Sequence, residues 1–190
     1  GYIWDDPEYL TENPLVQGGL AGLARIWIPF ETVQYYPLVF STFWAEHALW
    51  GLAPFGYHLV NVLLHAGGAL LVWRILVRLE VPGAWLAAAI FAVHPVQVES
   101  VAWVTERKNV LSGLFYLLAL RQYLIFDEGN ENRDWGLSLL FFLLALLSKT
   151  VTASLPVAIL IILWMRGRPI GKAAILRVLP FFALGAAGGL

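Results

Sequence analysis

The chain is 190 residues long, 59% hydrophobic and 13% charged, with a mean hydropathy of +0.71, and this combination excludes an ordinary soluble domain in favour of a polytopic membrane protein. A formal net charge of -1 without a basic patch excludes a nucleic-acid partner, and zero cysteines exclude disulfides and thiolate metal sites. Nine tryptophans, seven tyrosines and eleven phenylalanines supply the amphipathic rings that collect at membrane interfaces.

Gly1 to Asp6 carry neither a basic nor an apolar leader, and the last apolar run continues to Leu190, so the sequence reads as an internal piece of a longer chain. Residues 1–56 open with acidic clusters and prolines in GYIWDDPEYLTENPLVQGG, which is loop chemistry. They are expected to form an extracytoplasmic loop carrying interfacial helices at Gly19 to Trp27 and Leu38 to Trp50. In the second, Phe40, Phe43, Trp44 and Ala48 oppose Ser41, Glu46 and His47.

Residues 57–190 are expected to form a transmembrane helical core of about six spans. The first runs from Tyr57 to Leu79, and VPG at 81–83 turns the chain into a second from Ala84 to about Val98. A third occupies Val110 to Phe126, a short fourth Trp135 to Leu147, a fifth Val151 to Met165, and a sixth begins near Ala173. Arg74, Arg78, Arg133, Arg166, Arg168, Lys172 and Arg177 fall at ends that alternate to one side, which the positive-inside rule makes cytoplasmic.

The N-terminal segment, the ERK loop and Lys149 then share the other face. There the stretch FAVHPVQVESVAWVTERKNVLSG, residues 91–113, interrupts the apolar sequence with His94, Glu99, Glu106, Arg107 and Lys108. Charges beside lipid cost several kcal/mol unless they pair, bind something or face water. Asp5, Asp6 and Glu99, with Glu8 and Glu12 as weaker additions, are carboxylates that suit a general base or a divalent cation. An aspartate pair before proline is also ordinary turn chemistry. Arg107 and Lys108 suit a lipid-linked phosphate; the plainer reading is contact with headgroups.

His58, Asn61 and His65 share one face of the first span. They either line a cavity or tie helices together by hydrogen bonds, and the second reading is preferred. The two histidines are about 10 Å apart along the axis, too far to share a metal without help. His94 precedes Pro95, which should end the second span.

The runs DDPEYLTENPLV, YYPL, GLAPFGYHLVNVLLHAGGALLV, FAVHPVQVESVAWVTERKNVLSGLFYLLAL and LLSKTVTASLP, taken in that order, resemble the membrane portion of bacterial tetratricopeptide-repeat proteins related to the eukaryotic transmembrane O-mannosyltransferases, which are type C glycosyltransferases. The resemblance covers roughly residues 2–165, with HPVQVESVAWVTERK its specific part. It implies an all-α polytopic bundle in a bacterial plasma membrane that moves a sugar from a polyprenyl-phosphate donor to a protein or other hydroxyl acceptor on the extracytoplasmic side. It assigns Asp5 or Asp6 as catalytic base, Glu99 as a second acidic position with His94 beside it, and Arg107, Lys108 and Lys149 to the donor phosphate. A metal is neither required nor excluded. Relatives usually read ERKD where this chain has Glu106, Arg107, Lys108 and Asn109, and WMRGRP replaces a DYWP-like segment. A non-catalytic subunit that keeps the fold and packs against other membrane subunits is the alternative; a transporter would place its charges at the bilayer midplane instead.

Overall fold

The computed structural model describes residues 1–188, and every regular element among them is helical. After a π-helical turn at Pro7–Thr11 come α1 (Pro14–Gln17), α2 (Gly19–Ile26) and α3 (Pro37–Trp50). Asn13 starts α1: its Oδ1 accepts from the amides of Leu15 at 2.9 Å and Val16 at 3.3 Å, and Pro14 follows where no N–H is needed. Gly22 lets α2 cross α1 closely, since a Cβ there would stand 2.1 Å from the carbonyl oxygen of Leu15.

The long helices are α4 (Pro54–Arg78) and α7 (Arg107–Gly129), separated by α5 (Ala84–Val93) and α6 (Val98–Ala102). The 25 residues of α4 extend about 37 Å, more than the roughly 30 Å of a bilayer core. Gly67 permits close packing, with a Cβ there only 3.2 Å from Leu114 of α7. At Asn130 the backbone turns left-handed, with φ 56°, and starts the antiparallel return of α8 (Asn132–Leu146), the most extensive partner of α7. A 3-10 turn at Thr150–Ser154, α9 (Leu155–Met165) and α10 (Lys172–Gly188) complete the chain.

Helices stand at all six expected span positions. Among the described residues, α4 and α7 are each long and apolar enough to cross a membrane alone, and α5 with α6 makes a third if counted as one bent span. The second span, expected from Ala84 to about Val98 with Pro95 ending it, breaks at His94 and bends by 49°. His94 is extended before Pro95, and its Nδ1 accepts from the amide of Val96 to start a short 3-10 turn.

Two cores result. One packs Tyr123, Phe142, Ile159, Leu163 and Phe181 between α7, α8, α9 and α10. The other joins Tyr9, Leu10, Val16, Ile26, Phe40 and Phe43 from the first 56 residues to Tyr57, Val104 and Leu111 of the span region. Outward faces carry Leu63, Leu70, Trp85, Ile90, Ile161 and Trp164, as helices bathed in lipid require.

Arg107 pins the second core, at 0% exposure. Its Nε donates to Asn61 Oδ1, Nη1 to Glu46 Oε1 and, at 3.2 Å, to Thr42 Oγ1, and Nη2 to Glu46 Oε2 at 3.1 Å and the Tyr57 carbonyl at 3.0 Å. These contacts use all five guanidinium N–H groups and join α3, α4 and α7. The Phe43 ring lies 5.1 Å from the guanidinium carbon. Glu46, expected on the polar face of α3, is instead turned inward with Val39 and Phe43. Burial pushes its carboxyl above the ordinary range, and Arg107 pulls it back.

Breaking one side of such a pair leaves a buried charge, so Arg107→Met or Glu46→Leu alone should each cost about 3–5 kcal/mol. The double variant should recover most of that loss. Thermal unfolding of the whole protein in detergent checks this: additive losses in the double variant would show that the two residues do not act as a pair.

Candidate functional site

The sequence of the loop before α7 dictates how the polar end is assembled. Trp103 is extended, which ends α6, and the chain then turns through Thr105 and Glu106 into the first residues of α7. Asn61 holds this turn from α4 by donating to the carbonyl of Trp103 at 3.0 Å. With Arg107 drawn into the core, Glu106 and Lys108 on either side of it are left towards the end of the bundle.

The N-terminal aspartates meet this loop, and they differ in what they do. Asp6 is wholly buried; its Oδ2 accepts from the Ile3 amide at 2.9 Å and its Oδ1 from the Thr105 amide at 3.0 Å. Both oxygens are therefore committed to backbone. Asp5 is half-buried, and its Oδ1 accepts from Thr105 Oγ1 at 2.7 Å, while Oδ2 has no donor among the described residues. Asp5 thus offers an open carboxylate oxygen and Asp6 does not.

The cations come from the first turn of α7 and from the connection that follows α8. Lys108 Nζ is 2.9 Å from Glu106 Oε1 and sits 5.4 Å from the Tyr9 ring centre and 6.0 Å from that of Trp103. Asn109 Nδ2 donates to Glu106 Oε2 and, at 3.1 Å, to Ser100 Oγ, while Asn109 Oδ1 accepts from Lys149 Nζ at the end of α8. An amide therefore stands between Glu106 and Lys149, and Lys149 has no carboxylate partner among the described residues. Burial first, and the neighbouring Asp5 carboxylate next, push the Tyr9 phenol up to about 12, so Tyr9 stays protonated at neutral pH and is not a base. The indole N–H of Trp103 is buried without an acceptor.

The remaining sequence-predicted residues separate from this group. Glu99 is exposed on α6, and its side chain has no hydrogen bond or ion pair among the described residues. Arg107, expected to grip a phosphate, has no N–H left for one in this arrangement. His58 Nε2 lies 3.3 Å from the Gly1 carbonyl, and His65 Nε2 lies 3.0 Å from the Ala92 carbonyl with its ring against Phe91. With Asn61, these two make hydrogen bonds between separate segments. His65 also borders, with Gln97, Ser100 and Asn109, a cavity of about 80 Å³. No group of three or more His, Cys, Asp or Glu placed to hold a metal occurs among the described residues, so a divalent cation has no ready ligand set.

Thr105 and Glu46 were missed as working residues. Glu46 had a readable signal, since its spacing from Val39 and Phe43 sets it on their face of α3. Thr105 had none, because its partners are about 100 positions away in sequence.

The comparisons with known proteins agree on the class of molecule. The Drosophila melanogaster protein O-mannosyl-transferase Tmtc1 is 36% identical over 158 residues, covering 77% of this chain and 18% of its own length. Mouse protein O-mannosyl-transferase TMTC2 is 42% identical over 107 residues, covering 54% of this chain and 13% of its own. The Caenorhabditis elegans protein O-mannosyl-transferase F38B6.6 is 30% identical over 174 residues, covering 84% and 25% respectively. The chain thus spans a quarter or less of the length of these relatives. No solved structure matches it. Residues 36–187 match the dolichyl-phosphate-mannose-protein mannosyltransferase family, from the start of α3 to the end of α10, and the chain belongs to that family.

Proposed function

We propose that this chain forms part of a membrane glycosyltransferase that moves mannose from a polyprenyl phosphate to a hydroxyl of a protein acceptor. The observation that carries the reading is that three separate segments meet around the start of α7, bringing a carboxylate with a free oxygen at Asp5 to Thr105, Lys108 to Glu106 and Lys149 to Asn109. Transfer from a phosphate needs both: a base for the incoming hydroxyl and positive charge for the departing phosphate. The names of the relatives support the sugar and the acceptor class.

In this mechanism Asp5 Oδ2 takes the proton of the acceptor hydroxyl as its oxygen bonds to the anomeric carbon. The bond from that carbon to the phosphate oxygen breaks on the opposite side, giving inversion, and the electron pair leaves with the phosphate. Lys149 and Lys108 stabilise that charge. Thr105 orients Asp5 through its hydroxyl. Arg107 is a positioning residue here, holding the start of α7 from below, and Asp6 fastens the N-terminal segment to the loop. The alternation of basic residues supports a site on the extracytoplasmic face.

Asp5→Asn should lower transfer from polyprenyl-phosphate mannose to a threonine-containing polypeptide by about 10²–10⁴-fold, the usual contribution of a general base. Asp6→Asn should act on stability instead, by about 1–3 kcal/mol, because it disturbs two buried amide bonds. The whole protein in membranes is assayed at matched folded amounts. Equal rates for Asp5→Asn and the unsubstituted protein would sink the assignment.

Asn109→Asp gives a separate reading. A carboxylate beside Lys149 would compete for the donor phosphate, so the donor KM should rise about fivefold with kcat little changed, the effect of an ion pair of about 1 kcal/mol. If kcat rises instead, position 109 is machinery that this chain has lost, which favours the alternative of a structural subunit.

A further inference from the structure

The opposite end of the bundle carries a second polar site that the transfer reaction does not use. A cleft of about 770 Å³ opens between the last turns of α4 and α7 and is lined by Arg74, Arg78, Arg121 and Arg166 against only Glu80 and Glu128. Arg78 and Arg166 are already paired with Glu128, and Arg166 also approaches Asp127 at 3.7 Å. Arg74 makes no ion pair among the described residues, and Arg121 bonds only to the amide oxygen of Gln122, at 3.1 Å. Glu80 makes no ion pair among the described residues either, so four arginines face two glutamates in the lining and positive charge is in excess by two.

Their depth makes this costly. The Arg78–Glu128 pair fixes the level at which α4 and α7 end. Arg74 lies about 6 Å further into the bundle along α4, and Arg121 about 10 Å along α7. Arginines at that depth, without carboxylates, require an anion or water beside them.

The cleft does not end in open solvent on the membrane side. It shares Trp73 with an apolar groove of about 380 Å³ between α4 and α5, whose floor is made of Ala66, Ala69, Ala88, Ala89 and Ala92. Small residues on both helices leave this space open. The groove in turn shares Ala92 with another of about 320 Å³ that reaches Val62. From Trp73 to Val62 the trough follows about 16 Å of helix, close to the roughly 15 Å hydrocarbon depth of one leaflet. Trp73 and Trp85 border the groove, the ring chemistry of a membrane interface.

The geometry points to a binding site for an anionic phospholipid, with its phosphate between Arg74 and Arg121 and one acyl chain in the alanine trough between α4 and α5. The excess of positive charge selects an anionic headgroup over a zwitterionic one, and the trough selects a lipid over a free phosphate. The lipid supplies the missing countercharge and fills the gap left by the alanines, so it acts as a fitted part of the bundle. The site stands at the other end from Asp5, and its test needs no glycosyl transfer.

The full-length protein, purified in nonionic detergent, is titrated with dioleoylphosphatidylglycerol, dioleoylphosphatidylcholine, glycerophosphoglycerol and inorganic phosphate, and bound ligand is read by native mass spectrometry. Phosphatidylglycerol should bind in preference to phosphatidylcholine, and neither soluble anion should be retained. The R74Q/R121Q double variant should weaken phosphatidylglycerol binding about thirtyfold and leave phosphatidylcholine nearly unchanged. The A66L/A89L variant, at alanines that are not buried, should weaken both lipids by filling the trough. Equal affinity for the two lipids, or unchanged phosphatidylglycerol binding by R74Q/R121Q, overturns the proposal. Retention of inorganic phosphate as tightly as phosphatidylglycerol assigns the cleft to a soluble anion. A protein dimer lost in A66L/A89L with lipid binding unchanged gives the trough to a second copy. Either result overturns the lipid.

Discussion

Everything at the polar end depends on how one charge, that of Arg107, is buried. A guanidinium removed from water is tolerable only where each N–H meets an acceptor, and Glu46, Thr42, Asn61 and the Tyr57 carbonyl supply those acceptors from two other helices. The requirement is directional as well as electrostatic. It fixes the rotation of α7 at its first residue and with it the directions in which Glu106, Lys108 and Asn109 leave the helix. A lysine could not do this, because a single ammonium cannot reach the planar spread of acceptors that the guanidinium fork spans.

The two types of cation are accordingly divided between tasks. At the polar end the arginine, Arg107, takes partners that are internal and fixed, whereas the lysines are held by a carboxylate at Lys108 and by an amide at Lys149. In the proposed transfer each lysine exchanges that protein partner for the donor phosphate. The carboxylates show the same division, with Asp6 closed on backbone amides and Asp5 half open.

Much of the fold was legible in sequence because its signals are local. Pro54 at the start of α4, His94 before Pro95 and the polar run before α8 mark helix limits without reference to anything distant. The completeness of the spans was less legible, since hydropathy alone does not reveal that α5 bends away after ten residues. The site was legible by residue type only in part. Arg107 and Lys108 are neighbours of like charge, and nothing in VTERKN says that one points into the core and the other out. That follows from Glu46 on a helix 61 residues away, so it is a property of the packing.

Asn109 shows why such non-local information matters. In the sequence it is a missing carboxylate and reads as a loss. In the structure its side chain donates to Glu106 and Ser100 and accepts from Lys149, bridging an anion and a cation with one neutral group. An aspartate there could accept from Lys149 but could not donate to Glu106, and two carboxylates would face each other across a short gap. The amide therefore lets Glu106 keep its charge for Lys108 while leaving Lys149 cationic and unneutralised. The same substitution that departs from the usual motif is compatible with a more electropositive phosphate end, and the local network, more than the motif, decides which consequence prevails.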